Sequence, residues 1–261
     1  ISCKKKLFDN LFDDAFAIIN YDDKHGEIMG ANTRAKIISF GLKGNTNISS
    51  KVLENDISGL TLEINGHEMT SRLVGRFNAY NLLVAFAVGK YLGQDELSLL
   101  TILSSVKAPQ GRFEYFLSDH KITAVIDYAH TPDALENVLK TLLELKKGTE
   151  KLITVFGCGG NRDKGKRPLM GEIASRLSDQ VLITSDNPRN EDPDSIINEI
   201  YHGVPSVLKE KVFTVTDRME ALEMACNMAS AGDVILIAGK GHENYQIIGN
   251  ESLHFDDMEN T

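Results

Sequence analysis

After Pro109 the chain alternates short apolar runs with segments of helical period, and this alternation constrains the fold more than any other feature of its 261 residues. Strands are expected at 122–126, 152–156, 181–184, 212–215 and 234–238, and helices at 132–146, 168–177, 196–201 and 218–229. Parallel strands need a crossover between them and a helix supplies it, so the order implies a doubly wound parallel sheet. The runs Leu152-Ile153-Thr154-Val155-Phe156 and Val234-Ile235-Leu236-Ile237-Ala238 are almost wholly apolar, as strands covered on both faces must be.

Ligands of such sheets lie beyond the carboxyl ends of the strands. Chemically dense segments stand there: Asp127-Tyr128-Ala129-His130, Gly157-Cys158-Gly159-Gly160, Ser185-Asp186-Asn187-Pro188-Arg189 and Gly239-Lys240-Gly241-His242-Glu243. The first half reads differently. Residues 3–14 set Leu7 and Leu11, and Phe8 and Phe12, at i, i+4 spacing, the period of an amphipathic helix. A strand is expected at 15–19, then a β-rich region over 27–73 that includes 36–40 and 60–64, then helices near 78–92 and 95–106. Two domains follow, residues 1–109 and 110–261.

Charge and cysteine content narrow the partners. A net charge of −9 argues against a protein that coats a polyanion, so nucleic acid is not expected. No apolar stretch approaches the length of a membrane span. Cys3, Cys158 and Cys226 are odd in number and lack C-x-x-C spacing, which fits neither a disulfide framework nor a zinc site and points to a reducing cytoplasm.

The loop 157–168 fails two phosphate-binding templates. Arg162 stands where the dinucleotide fingerprint needs its third glycine, and Arg167 replaces the hydroxyl that a nucleotide P-loop uses to hold magnesium. What remains is a glycine-rich loop with Arg162, Lys164, Lys166 and Arg167, entering a helix with Pro168 at its first position. Such a loop suits a carboxylate or phosphate; a solvated basic loop is the plainer alternative. Arg189 offers a planar fork for a carboxylate, although taken alone its segment is better explained as an Asx turn with an exposed arginine. Gly239 to Glu243 sets a cation, an imidazole and a carboxylate at another strand end. Thr131 and Pro132 are accounted for as helix cap and first helical residue, which leaves Asp127, Tyr128 and His130 for a ribose and a base. Arg112, at the domain junction, could reach a nucleotide held between domains.

In this order, Asn20-x-Asp22-Asp23, Gly75-Arg76-Phe77-Asn78-x-x-Asn81, Gly111-Arg112-Phe113-Glu114, the runs 127–135 and 156–171, Asp186 to Arg189, Gly239 to Glu243 with Tyr245-Gln246, and Phe255-Asp256-Asp257 resemble the Mur ligases of bacterial peptidoglycan assembly. The resemblance spans essentially the whole chain and is greatest to the branch that adds the third residue of the stem peptide. It implies an ATP- and Mg²⁺-dependent cytoplasmic amide ligase, a monomer, whose substrates are UDP-N-acetylmuramoyl-dipeptide and meso-diaminopimelate. Asn81, Arg112, Asp127 and His130 would contact the nucleotide. Lys4 would be a carbamylated lysine that holds Mg²⁺. Arg162, Asp186, Asn187, Arg189, Gly239 and Glu243 would form the amino-acid pocket, with Arg189 on the distal carboxylate and Glu243 on the distal ammonium. Two alternatives stay open, a lysine-adding relative and a non-catalytic Rossmann-like binding module. The family's P-loop and its domain for the UDP end have no counterpart here, and the first residue is Ile1 rather than Met. The resemblance therefore implies an α/β fragment inactive by itself, a partial central ATPase domain followed by a Rossmann-like doubly wound C-terminal domain.

Overall fold

Two units, Ile1–Lys107 and Ala108–Thr261, divide the chain in a computed structural model that describes residues 2–146 and 148–261. In the first, α1 (Ser2–Asp9), β1 (Phe16–Asn20), α2 (Gly26–Gly30), β2 (Lys36–Gly41), β3 (Ile48–Asp56), β4 (Gly59–Ile64), β5 (His67–Ser71), α3 (Arg76–Tyr91) and α4 (Glu96–Ser104) follow in order. The five strands lie side by side in chain order. β1 to β3 run parallel, and β3 to β5 form an antiparallel meander.

Helix α1 is shorter than the apolar spacing of residues 3–14 predicts. The Lys6 carbonyl accepts both the Asn10 amide at 3.2 Å and the Asn10 side chain at 2.7 Å, and a short polar side chain that bonds nearby backbone competes with helix propagation. Phe8 and Leu11 pack against Ala17, Ile19 and Ala35, while Leu7 and Phe12 face solvent.

The second unit comprises β6 (Glu114–Leu117), β7 (Thr123–Asp127), α5 (Pro132–Leu145), β8 (Leu152–Phe156), α6 (Lys166–Leu177), β9 (Gln180–Ile183), α7 (Pro193–His202), a short 3-10 segment (Ser206–Lys211), β10 (Val212–Thr214), α8 (Arg218–Met228), β11 (Val234–Ala238) and a hairpin of β12 (Tyr245–Ile248) and β13 (Glu251–His254). Its six-stranded sheet has the order β10-β9-β8-β11-β7-β6, parallel throughout except for antiparallel β6. This is the mixed α/β architecture that the strand-helix alternation implied. Ala221, Leu222 and Ala225 of α8 join Ile126, Ile153, Val155, Ile235 and Ile237 in one core layer; α6 packs against both α5 and α7. Contact between α6 and α7 is close because Gly171 has no side chain, and a Cβ there would lie 2.1 Å from the Ile200 carbonyl oxygen.

Helix starts follow capping chemistry. Thr131 accepts the Ala134 amide with Pro132 at the first position, and Asp192 and Asp217 cap α7 and α8. Helix α6 departs from expectation, since it begins at Lys166 and not at Pro168. Proline is tolerated there because amides of the first helical turn have no acceptor within the helix. No helix among the described residues is long and apolar enough to cross a membrane.

Candidate functional site

Four parallel strands of the second unit end level. Ala238 lies opposite both Asp127 and Phe156, and Phe156 lies opposite Ile183. The chain runs outward from β8 through β9 to β10 and then returns through α8 to insert β11 between β8 and β7, so the sheet changes winding direction between β8 and β11, the place where such folds bind ligands.

Beyond those ends, Glu243 is held at both oxygens. Asn187 Nδ2 donates to Oε2 at 2.9 Å and the Tyr128 hydroxyl to Oε1 at 3.3 Å. Asn187 is itself fixed, its Oδ1 accepting the Ile247 amide at 2.8 Å. Arg189 has a left-handed backbone, φ 53°, uncommon outside glycine. The hairpin secures it: the Arg189 amide donates to the Ile247 carbonyl at 3.0 Å, and the Gly249 amide donates to the Arg189 carbonyl at 2.7 Å. Its Nη1 donates to the carbonyls of Gly160 at 3.0 Å and Asn187 at 3.3 Å. A Cβ on Gly159 would sit 3.0 Å from Arg189 Nη1 and 3.7 Å from Arg162 Cγ. The bare glycine thus lets two arginines approach one point, with Arg162 exposed to solvent.

The other cations of the basic loop are already engaged, Arg167 and Lys164 with carboxylates and Lys166 with a backbone carbonyl, contrary to the expectation of four available cations. Arg167 is fully buried and bonds both oxygens of Glu191, at 3.0 and 3.1 Å, and Glu199 at 2.8 Å. Lys164 pairs with Glu191 at 3.1 Å, and Lys166 donates to the His130 carbonyl at 2.6 Å. Chiefly through its hydrogen bond from Arg167, the Glu191 carboxyl is pulled down to about 2. The loop is a braced scaffold that presents Arg162.

Asp186 also departs from expectation. It is buried, with Oδ1 lacking a hydrogen bond and 3.8 Å from Lys240 Nζ. Burial pushes its carboxyl pKa up, against the pull of Arg218 and Lys240. Lys240, fully buried, donates to the Tyr245 carbonyl, and burial lowers its pKa against the opposing pull of Asp186. Gly239, at φ 115°, donates its amide to the Asp127 carbonyl at 3.0 Å.

Two nucleotide candidates, Arg112 and His130, pack on Tyr128 together with His242. The Arg112 guanidinium lies 4.9 Å over the Tyr128 ring, His130 packs edge-on at 4.6 Å, and His242 is 5.1 Å away. Asp127 accepts the Phe113 amide at 2.8 Å, and burial raises its carboxyl pKa despite that bond. Gly111, at φ 66°, brings this loop against the next, since a Cβ there would lie 2.1 Å from the His242 amide nitrogen.

Lys4 and Asn81 share a cavity of about 520 Å³ within the first unit, lined also by Asn20, Asp23, His25 and Tyr80. Asn81 donates to Asn78 Oδ1 at 3.0 Å. Asp22 is structural, accepting the amides of Leu42 at 2.6 Å and Lys43 at 3.2 Å and the Tyr80 hydroxyl at 2.9 Å; burial, aided by Asp22, pushes the Tyr80 phenol up to about 12. Among the described residues no group of three or more His, Cys, Asp or Glu converges as for a metal ion.

Sequence reasoning missed the part Tyr128 plays in holding Glu243, and it missed Arg218, a fully buried cation paired with Asp257. One signal was available. Arg218 opens α8, where the helix dipole disfavours a cation unless something else holds it.

Known proteins share this arrangement of elements. Residues 111–241 match the Mur ligase glutamate ligase domain and residues 1–89 the Mur ligase middle domain. The UDP-N-acetylmuramoyl-L-alanyl-D-glutamate--2,6-diaminopimelate ligase of Cytophaga hutchinsonii is 51% identical over 257 residues, which is 98% of this chain and 53% of that protein. The ligase of the same name from Bacteroides fragilis is 46% identical over 259 residues, 99% of this chain and 53% of its own length. A solved structure of a ligase of that name is 36% identical with TM-score 0.67, covering 99% of this chain and 54% of the other. At 19% identity, a folylpolyglutamate synthase from Thermotoga maritima shares the fold, with TM-score 0.62 over 83% of this chain and 48% of its own. The chain spans about half the length of the curated relatives it matches.

Proposed function

The chain belongs to the Mur ligase family, and we propose that it serves the ATP-dependent joining of meso-2,6-diaminopimelate to UDP-N-acetylmuramoyl-L-alanyl-D-glutamate, in the cytoplasmic assembly of peptidoglycan precursors. One observation carries the choice of amino acid. Arg189 and Arg162 flank Gly159, and Asn187 links that point to Glu243 by accepting from Arg189 at its carbonyl and donating to Glu243 through its amide. Diaminopimelate ends in a carboxylate and an ammonium. The arginine fork suits the first, and a carboxylate with both oxygens oriented suits the second. Lysine has no distal carboxylate and would leave the arginines without a counter-charge beside its ammonium.

In the proposed reaction the UDP-linked carboxylate is activated as an acyl phosphate at the expense of ATP. The proximal amine of diaminopimelate, uncharged, then adds to the acyl carbon to give a tetrahedral intermediate, which gives up one nitrogen-bound proton to solvent or phosphate and collapses as the C–O bond to phosphate breaks and phosphate leaves with the electron pair. Gripping the distal end aligns the attacking amine, which removes much of the entropic barrier. Arg112, Asp127 and His130, and Asn81 in the first unit, are the candidates for nucleotide contact. Magnesium, when bound, offsets crowded phosphate charge. A lysine ammonium has only donors, so Lys4 could hold magnesium only as a carbamate; Asn20 and Asp23 line the same cavity with further oxygen atoms, and magnesium commonly takes one or two protein carboxylates with water and phosphate.

Calorimetric titration of the chain with meso-diaminopimelate and with L-lysine tests this reading. Binding of meso-diaminopimelate, weakened at least tenfold by Arg189→Ala, is expected; tighter binding of L-lysine would refute it.

A further inference from the structure

The two loops that carry the proposed pocket leave their strands beside one guanidinium. Arg218 Nη1 donates to the Ser185 carbonyl and Nη2 to the Ala238 carbonyl, each at 3.3 Å. Asp257 completes the set, accepting from Nε at 2.8 Å and Nη2 at 2.7 Å. Ser185 directly precedes the loop of Asn187 and Arg189, and Ala238 the loop of Gly239 and Glu243. Their strands, β9 and β11, are not neighbours, because β8 lies between them, so they stand about 10 Å apart. One rigid planar group links the two chain segments where they leave those strands.

We infer that the Arg218–Asp257 pair is a positioning device for the amino-acid pocket, fixing the separation between the loop proposed to take the distal carboxylate and the loop proposed to take the distal ammonium. Stability alone does not account for it. Both side chains are fully buried, and an apolar pair of similar volume commonly serves a fold as well as a buried ion pair or better. An apolar pair cannot hold two carbonyls at a set spacing, whereas the guanidinium here gives two N–H groups to the carbonyls and two more to Asp257, four of its five in all. Asp257 orients the fork, and neither residue touches the substrate in this scheme. The inference rests on the diaminopimelate reading above.

The test compares the unsubstituted chain with the double variant Arg218→Met/Asp257→Leu and with Asp257→Asn, which keeps the shape and serves if the double variant does not fold. Melting temperature, calorimetric affinity for meso-diaminopimelate, and ligand-free amide exchange at residues 186–189 and 239–243 are measured on each. The expected result is a double variant that melts within a few degrees of the parent, binds at least tenfold more weakly, and exchanges faster in those two loops while β8 stays protected. A purely structural pair would lose binding only as far as it lost stability. Affinity within threefold of the parent in a folded variant overturns the inference. If the unsubstituted chain binds no meso-diaminopimelate, the function proposed above fails, and exchange alone decides this inference: unchanged exchange in the two loops overturns it, and local acceleration sustains it.

Discussion

Arg189 adopts a backbone conformation that costs an L-residue roughly 1–2 kcal/mol, and two hairpin hydrogen bonds hold it there. Glycine at this position removes the steric cost and the side chain together. Arg189→Gly is therefore expected to be more stable than Arg189→Ala by about 1 kcal/mol in urea denaturation, with both variants equally poor at binding meso-diaminopimelate. Equal stability of the two would show that the hairpin, and not the residue, bears the strain. Glu191 gives a pH prediction. Its carboxyl is lowered from 4.5 to about 2 in the folded chain, so its contribution to stability is fully present above about 4.5 and is lost as the pH falls through about 2. The acid unfolding of Glu191→Gln should accordingly differ from that of the parent by a shrinking margin between those values; a margin that stays constant across the window would mean that Glu191 is not the titrating group. At this scale the sequence shows which residue types crowd the strand ends. It cannot show which are spent on one another. Arg162 and Arg167 are alike in sequence, and only the packing of Glu191 and Glu199 separates the exposed cation from the buried one.

At the scale of elements, legibility follows burial. Strands β8 and β11 carry almost wholly apolar runs because helices cover both faces, and their bounds were readable to the residue. Strand β6 and the hairpin β12–β13 were not read. β6 is a four-residue edge strand with alternate residues exposed, and β13 is exposed throughout, so neither leaves a hydrophobic period in the sequence. The hairpin nonetheless sets the site, because it holds Arg189, Asn187 and Lys240 through its backbone. Glycine positions connect the loops in the same hidden way. A Cβ on Gly160 would lie 1.9 Å from the Pro188 carbonyl oxygen, backbone against side chain with nowhere to yield. Gly160→Ala should force the two loops apart at a cost of about 1–3 kcal/mol, measurable as a lower urea midpoint with unchanged slope, and should weaken meso-diaminopimelate binding as well. A neutral result would mean that the loops are free to separate.

At the scale of the whole molecule, the proposed amino-acid pocket is drawn from one unit. Arg162, Asn187, Arg189, Gly239 and Glu243, the hairpin that holds them and the Arg218–Asp257 pair all lie within residues 108–261. Every strand of the six-stranded sheet has its partners there too, and the core layer under α8 is built from residues 126 to 237, so the unit can bury its own apolar surface without help. Lys4 and Asn81 lie in the other unit, around a separate cavity. A chain of residues 108–261 alone should therefore fold cooperatively and bind meso-diaminopimelate within about threefold of the full 261-residue chain, with the same sensitivity to Arg189→Ala. Calorimetry on the two chains decides it. A folded 108–261 unit that binds more than tenfold more weakly would mean that residues before 108 help to build the pocket, and the assignment of substrate recognition to the strand ends of one sheet would have to be given up.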